Sequence, residues 1–238
     1  MNNNILLISG KSSTGKSMSL MGLKEPEGVM YLNCEGNKSL PFRNKFNCYT
    51  ITDPLQVVEA IDKAENMANI HTIVIDSLTY MMDMFETVYV LTAANRMAAW
   101  GDYCQFFKKM MSQNVAMSTK RIIFTAHTMD VLNESEMINE TLVKVKGSLM
   151  NTGIESMFCT VLSTKKVPLN KLADQKSNLL VITDKEKKRE YKYVFQTSLT
   201  KETVNERIRS PIDMWDDDET YIDNNVQNVL DRIQKYYK

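Results

Sequence analysis

Short apolar runs separated by longer amphipathic stretches dominate the chain between residues 5 and 127. Each run is continuous and rich in β-branched residues, which is typical of a strand buried on both faces of a sheet. The runs that predict such strands are Ile5–Ser9, Val29–Asn33, Tyr49–Ile51, Thr72–Ile75 and Arg121–Ala126.

The stretches between these runs have helical spacing. A helix is predicted to begin near Lys16, a second one lies near 54–69, and a long helical region covers 78–118 with a break near 100–101. The second helix has apolar residues at helical intervals, namely Leu55, Val58, Ile61 and Ala64. This alternation predicts an α/β fold, in which a mostly parallel central sheet carries helices on both faces.

The pattern changes after residue 127. Residues 128–152 are polar and lack periodicity, which predicts a long mobile loop. Met157–Ser163, Asn178–Thr183 and Tyr191–Thr197 are predicted strands, and the charged turn 184–190 would join the last two as a β-hairpin.

A terminal helix is predicted after the acidic residues 216–219, which would lie favourably near its N-terminus. Its apolar stripe consists of Ile222, Val226, Val229, Leu230 and Ile233. We therefore expect a single domain over residues 1–238, with a core over 1–165 and a C-terminal β-hairpin and helix over 166–238.

Composition narrows the function only slightly. The formal net charge of the 238 residues is +0, so any binding of nucleic acid requires a local basic patch. Four scattered cysteines and two histidines offer no recognisable set of zinc ligands. No apolar run approaches the roughly 18–20 residues that span a bilayer, and the first residues are too short and uncharged for a signal peptide. We expect a soluble, cytoplasmic protein without membrane contact.

One motif carries specific chemistry. The segment between the first strand and the first helix fits G-x-x-x-x-G-K-[ST] in full, a pattern that binds the phosphates of a nucleotide. Its glycines let successive backbone N–H groups point at phosphate oxygens, and the following helix adds its positive end. The lysine would reach the β- and γ-phosphates of ATP and the last serine would ligate Mg²⁺. The motif consists of Gly10, Lys11, Ser12, Ser13, Thr14, Gly15, Lys16 and Ser17.

Further polar residues follow other predicted strands. Because ligands of open α/β sheets bind beyond the carboxyl ends of the strands, Lys16, Glu35, Asp76 and His127 are expected to lie together. Asp76 has the position of a second carboxylate on the magnesium side, although an aspartate there also commonly caps the next helix.

These motifs resemble a known family in combination and in order. Tyr31–Gly36 resembles the strand of RecA-like recombinase ATPases that ends in the catalytic glutamate, and Ile73–Ser77 resembles their magnesium strand. Trp100–Tyr103 with Ile122–His127 is similar to a phage branch of that superfamily, several members of which are described as single-strand-annealing recombinases. The resemblance covers roughly residues 5–165.

The resemblance implies roles for these residues. Glu35 would orient and polarise the attacking water, and His127 would sense the γ-phosphate and couple it to the segment that follows. The family also implies a homo-oligomer with ATP at the subunit interface, completed by a cation from the neighbouring subunit. Candidates for that cation are Lys144, Lys146, Arg207 and Arg209.

Single-stranded DNA is the partner that the resemblance implies, and one basic cluster is a candidate contact. Its rings would stack on bases, although a solvated hairpin turn explains the same pattern. Acidic residues in 128–152 oppose DNA binding there. The cluster consists of Lys165, Lys166, Lys185, Lys187, Lys188, Arg189 and Lys192, together with Tyr191 and Tyr193.

Three functions remain open. The leading hypothesis is a Mg²⁺-dependent ATPase that acts on single-stranded DNA in phage-type recombination or annealing, within a phage-infected bacterial cell. The second is a nucleotide-gated binding or assembly protein with little turnover. The third is a small-molecule kinase, which the few scattered arginines of the chain disfavour because such a kinase needs an arginine-rich lid.

Overall fold

In the computed structural model, which describes residues 2–36 and 38–238, the apolar runs form strands of one sheet, and a β-hairpin extends from this sheet. The strands are β1 (Ile5–Gly10), β2 (Val29–Asn33), β3 (Asn47–Thr50), β4 (Thr72–Asp76), β5 (Arg121–Asn133), β6 (Ile138–Val143), β7 (Thr160–Pro168), β8 (Tyr191–Gln196) and β9 (Tyr221–Asp223). The helices are α1 (Leu55–Glu65), α2 (Leu78–Phe85), α3 (Arg96–Lys109), α4 (Ser148–Thr152), α5 (Asp184–Arg189) and α6 (Val226–Tyr236).

The strand order is β3-β2-β4-β5-β1-β7-β8-β9, and β6 pairs with β5 outside this order. Every pair from β3 to β7 along this order is parallel, whereas β8 and β9 join antiparallel. The predicted mostly parallel sheet is confirmed. Because the parallel strands run in one direction, their carboxyl ends meet along one edge, where a ligand site forms.

Helices cover both faces of this sheet, as predicted. Alternate strand residues such as Leu7, Leu32 and Ile75 belong to a core that includes α1, α2 and α3. Their neighbours Leu6 and Tyr31 belong to a second core beneath α6. This alternation follows from the period of two in a strand, and it explains why the central strands are apolar throughout.

The helical regions depart from the prediction in two places. The helix predicted to begin near Lys16 is a short 3₁₀-helix, Ser17–Gly22. The break in the long helical region lies at 91–95, because the Asn95 side chain accepts the Ala98 N–H and caps α3. Residues 100–101 therefore lie inside α3, and the break predicted there was wrong.

The segment predicted to be a long mobile loop is mainly a β-hairpin. β5 continues past the sheet edge to Asn133 and pairs antiparallel with β6. Thr141 donates a 2.8 Å hydrogen bond from its hydroxyl to Asp130 across this hairpin. Most of its residues are partly or fully exposed, so the strands have no apolar alternation that sequence patterning could detect.

The predicted C-terminal β-hairpin is also different. Residues 178–183 form no strand, and the predicted turn is α5, which Thr183 and Glu186 begin with a reciprocal capping box. β8 pairs instead with β7 and β9.

The terminal helix α6 is confirmed, with its buried stripe Val226, Val229, Leu230 and Ile233. Ile222 lies on β9, and Asn225 caps α6 in place of the predicted acids, which form the 3₁₀-turn Asp217–Glu219. None of the helices among the described residues is long and apolar enough to cross a membrane.

Candidate functional site

The carboxyl ends of the parallel strands bring the predicted polar residues together. β1 leads into the phosphate loop (Gly10–Ser17), and Gly10 stands beside His127 in the pairing of β1 with β5. β2 and β4 end side by side, with Asn33 next to Asp76. The expectation that Lys16, Glu35, Asp76 and His127 lie at one edge is confirmed.

The phosphate loop curls through backbone conformations that glycine favours. Gly15 has φ +100, and a Cβ at this position would lie 2.6 Å from the Asn224 amide nitrogen. Ser13 also has a positive φ of 61. The Thr14 hydroxyl contacts the Thr164 hydroxyl at 2.6 Å and donates to the Lys11 carbonyl at 2.7 Å. These contacts hold the loop in its curled shape.

Lys16 is 6% exposed and its ammonium group points back into the loop. Its Nζ donates to the carbonyl oxygens of Gly10 at 2.9 Å and Lys11 at 2.8 Å, and lies 3.4 Å from Nδ1 of His127. Burial lowers the pKa of Lys16 to about 8, and the nearby carboxylates Asp76 and Glu35 partly offset this effect. A bound phosphate would counteract this effect of burial on the Lys16 pKa, because an anion stabilises the charged form of the ammonium.

Asp76 and Ser17 form the pair expected on the magnesium side. The Ser17 hydroxyl donates to one carboxylate oxygen of Asp76 at 2.9 Å, and Tyr31 donates to the same oxygen at 2.8 Å. Thr125 donates to the other oxygen. These two oxygen ligands fit Mg²⁺, which is usually bound by one or two protein oxygens together with phosphate oxygens and water. No larger cluster of metal-binding side chains is found in 2–36 and 38–238.

Glu35 lies beside His127 with both carboxylate oxygens engaged. Its Oε1 is 3.2 Å from Nε2 of His127, and its Oε2 accepts a 2.8 Å hydrogen bond from Lys38. The hydrogen bond from His127, followed by the contact with Lys38, lowers the pKa of Glu35 to about 2. The carboxylate is therefore ionised at neutral pH, as a residue that orients water requires.

His127 is fixed by its backbone as well as its ring. Its N–H donates to the Thr79 hydroxyl at 2.9 Å, and its carbonyl accepts from the N–H of Lys144 at 2.8 Å. The Tyr80 ring packs edge-on against the imidazole at 5.7 Å between ring centres. His127 is the first residue of β5 after its buried part, and its imidazole contacts both Lys16 and Glu35.

A cleft of about 300 Å³ opens over these groups. It is lined on one side by the phosphate loop and on the other by the segment after β2. Its lining includes Ser12, Ser13, Gly15, Lys16, Ser17, Met18, Glu35, Lys38, Ser39, Pro41, His127 and Tyr193.

Several site residues were not predicted from the sequence. Tyr31 and Asn33 lie on β2 at intervals of two residues from Glu35, which follows the strand, so the period of two was the signal that could have placed them on the same side. Thr125 and Lys38 had no such signal. Tyr193 was predicted to stack on DNA, but its ring lines the cleft beside Gly15.

The four residues predicted to supply a cation to a neighbouring subunit do not line this cleft. Arg207 pairs with Glu140 at 3.3 Å and with Glu155 at 3.4 Å in its own chain. Lys146 pairs with Glu86, while Lys144 and Arg209 are exposed. A role for any of them in a neighbouring subunit stays a prediction.

The basic cluster predicted to bind DNA is largely engaged in ion pairs. Lys192 is buried between Glu186 at 2.6 Å and Asp223 at 3.0 Å. Lys165 pairs with Glu206, and Lys166 lies 3.9 Å from the centre of the Tyr191 ring. Three exposed cations on α5 form no ion pair with any residue in 2–36 and 38–238, namely Lys185, Lys188 and Arg189.

Comparison with known proteins agrees with this geometry. A protein-family model described as an AAA domain matches residues 2–188, which is well over half of the chain. No curated protein matches the chain. The family match supports a P-loop ATPase and does not extend to the phage recombinase branch that the motifs resemble.

Proposed function

Because the chain belongs to the AAA domain family of P-loop ATPases, we propose that it binds Mg²⁺ and ATP in the cleft above the phosphate loop and hydrolyses the nucleotide. The observation that carries this proposal is the position of the His127 ring, which lies within 3.4 Å of Lys16 and 3.2 Å of Glu35 where β1 and β2 end and β5 continues past the sheet edge.

Each group has a distinct task in this proposal. The phosphate loop and Lys16 hold the triphosphate, while Ser17 and Asp76 supply protein oxygens for Mg²⁺. A bound Mg²⁺ would neutralise charge that develops on the phosphates. Glu35 orients the attacking water and His127 reports the presence of the terminal phosphate to the β5–β6 hairpin.

A Lys16→Ala variant tests the nucleotide site. The substitution removes a charge-assisted hydrogen bond between the lysine and the phosphates. We therefore expect ATP affinity to fall about 10- to 100-fold. Titration with a fluorescent ATP analogue and Mg²⁺ measures this loss. The matched control is Lys24→Ala, because Lys24 is an exposed lysine paired with Asp231. Unchanged affinity in a folded Lys16→Ala protein would refute the site.

We further propose that the ATPase acts on single-stranded DNA, in recombination or annealing of the phage type. The exposed cations of α5 and the resemblance of the motifs support this partner. The test is the rate of ATP hydrolysis in the presence of single-stranded DNA, double-stranded DNA or RNA, compared with the rate without any polymer. We expect stimulation by single strands alone, and its loss when Lys185, Lys188 and Arg189 are replaced by serine. Equal rates with and without every polymer would favour the nucleotide-gated assembly protein instead.

Assembly into a homo-oligomer with ATP between subunits is also proposed. The resemblance of the motifs to RecA-like ATPases supports it, because those enzymes usually complete the ATP site with a cation from the neighbouring subunit. Light scattering with and without a non-hydrolysable ATP analogue gives the mass directly, and a monomer under both conditions would refute this proposal.

A further inference from the structure

The segment that follows β2 places a second lysine across the cleft from the phosphate loop. Lys38 lines the same cleft as Lys16, and its Nζ is 2.8 Å from Oε2 of Glu35. Its side chain is 66% exposed, whereas the Glu35 side chain is 9% exposed. The ammonium group of Lys38 therefore covers an almost buried carboxylate from the solvent side.

The position of Lys38 is built into the end of β2. Asn33, which is buried, donates from its side-chain amide to the Lys38 carbonyl at 3.0 Å. The amide oxygen of the same side chain accepts the Glu35 N–H at 3.0 Å. The buried Asn33 side chain thus bonds the backbones of both Glu35 and Lys38 and keeps these two residues next to each other at the cleft.

Charge in the cleft also favours an anion near Lys38. Among the described lining residues, Lys16 and Lys38 are the lysines and Glu35 is the carboxylate. A lysine ammonium is a common partner of phosphate oxygens. The arginine that could serve in its place, Arg207, is held by Glu140 and Glu155 within its own chain.

We propose that Lys38 contacts the terminal phosphate of ATP and stabilises its charge during hydrolysis, as a cation supplied by the same chain as the phosphate loop. This inference rests on the proposed function and adds a catalytic residue to it. When ATP occupies the cleft, the Lys38 ammonium turns from Glu35 to a γ-phosphate oxygen. One carboxylate oxygen of Glu35 is then free to accept a hydrogen bond from water.

The hydrolytic step balances with these groups. The water oxygen forms a bond to the γ-phosphorus while the bond from that phosphorus to the β–γ bridging oxygen breaks. ADP leaves with the electron pair of the broken bond, and a water proton passes to Glu35 and then to the released phosphate. Lys38 stays protonated and donates hydrogen bonds as charge builds on the phosphoryl oxygens.

Lys38→Met tests this assignment, with Lys38→Arg as the conservative variant. Removing one preorganised donor from a charged transition state costs about 10²- to 10³-fold in kcat, so we expect a loss of that size for Lys38→Met. We expect Lys38→Arg to retain most of the turnover. Affinity for ADP should stay within about twofold of the wild type, because ADP lacks the contacted phosphate, while a non-hydrolysable ATP analogue should bind about tenfold more weakly.

A second set of variants separates contact with phosphate from an effect through Glu35. In a Glu35→Gln protein, Lys38→Met should lower the single-turnover rate further if Lys38 contacts the phosphate. No further loss, or a Lys38→Met protein as fast as or faster than the wild type, would overturn the proposal. Lys45→Met serves as the control, since Lys45 is exposed and pairs with exposed Glu27. Failure of the wild type to bind any nucleotide would instead refute the proposed function itself.

Discussion

Individual side chains at the cleft are held by contacts that have measurable consequences. Glu35 illustrates this, because hydrogen bonding to His127 and Lys38 lowers its pKa from 4.5 to about 2. A carboxylate with a lowered pKa in the folded state stabilises the fold above its unfolded pKa, and this contribution is lost as the pH falls through the folded pKa.

A Glu35→Gln variant makes that contribution visible. The free energy of unfolding of the wild type minus that of the variant should rise between about pH 2 and about pH 4.5 and stay level above it. Denaturant unfolding at several pH values measures the difference. A difference that is flat through this window would show that Glu35 is not held by its two partners.

Tyr193 gives a second prediction at the residue scale. Its ring lies beside Gly15 in the cleft, where the base of a bound nucleotide could stack on it. Because stacking on an aromatic ring is worth about 1–3 kcal/mol per base, Tyr193→Ala should weaken ATP binding by about 5- to 150-fold. Tyr193→Phe keeps the ring and should bind normally. Equal affinities of the alanine and phenylalanine variants would exclude stacking.

At the scale of elements, residues 204–209 brace the β5–β6 hairpin through a buried carboxylate. Glu155 is 4% exposed and accepts the Val143 N–H at 2.6 Å at the end of β6. Arg207 contacts the other oxygen of this carboxylate and also reaches Glu140 on β6. The guanidinium therefore ties residues 204–209 to the hairpin.

Arg207→Ala should consequently destabilise the fold. It leaves the buried Glu155 carboxylate without its cation, which costs about 1–3 kcal/mol of unfolding free energy. Arg209→Ala, at an exposed side chain, should change stability by less than about 0.5 kcal/mol. Urea unfolding measures both variants. An Arg207→Ala protein as stable as the wild type would show that the arginine is free for another role.

The elements that the sequence predicts well are those with a strong burial pattern. β1, β2, β4 and the first half of β5 are buried on both faces, so continuous apolar runs revealed them. The outer half of β5 pairs with β6 without such burial, and its polar residues were interpreted as a loop. Lys38 was missed for a related reason: its place at the site depends on a hydrogen bond to Asn33, which no spacing rule predicts.

At the scale of the whole molecule, ligand binding and folding are coupled. A ligand that binds only the folded state stabilises it by about 2.7 kcal/mol at a concentration of 100 times its Kd. For a chain of this size that amounts to a rise in melting temperature of roughly 5–10 °C. Mg²⁺ with ATP should produce such a rise in the wild type and at most about half of it in Lys16→Ala, whose ATP affinity is expected to be about 10- to 100-fold lower. Equal shifts in both proteins would place the nucleotide elsewhere.

The phosphate loop is anchored by parts of the chain distant in sequence, and this affects how a minimal working unit must be defined. The Asn224 amide donates to the Gly15 carbonyl at 2.9 Å, and Gln227 accepts the Lys24 N–H at 3.0 Å. Both residues lie beyond residue 188, where the family match ends. Excising the chain at that boundary would remove β8 and β9 from the edge of the sheet and α6 from one of its faces, and would leave the phosphate loop without the contact from Asn224.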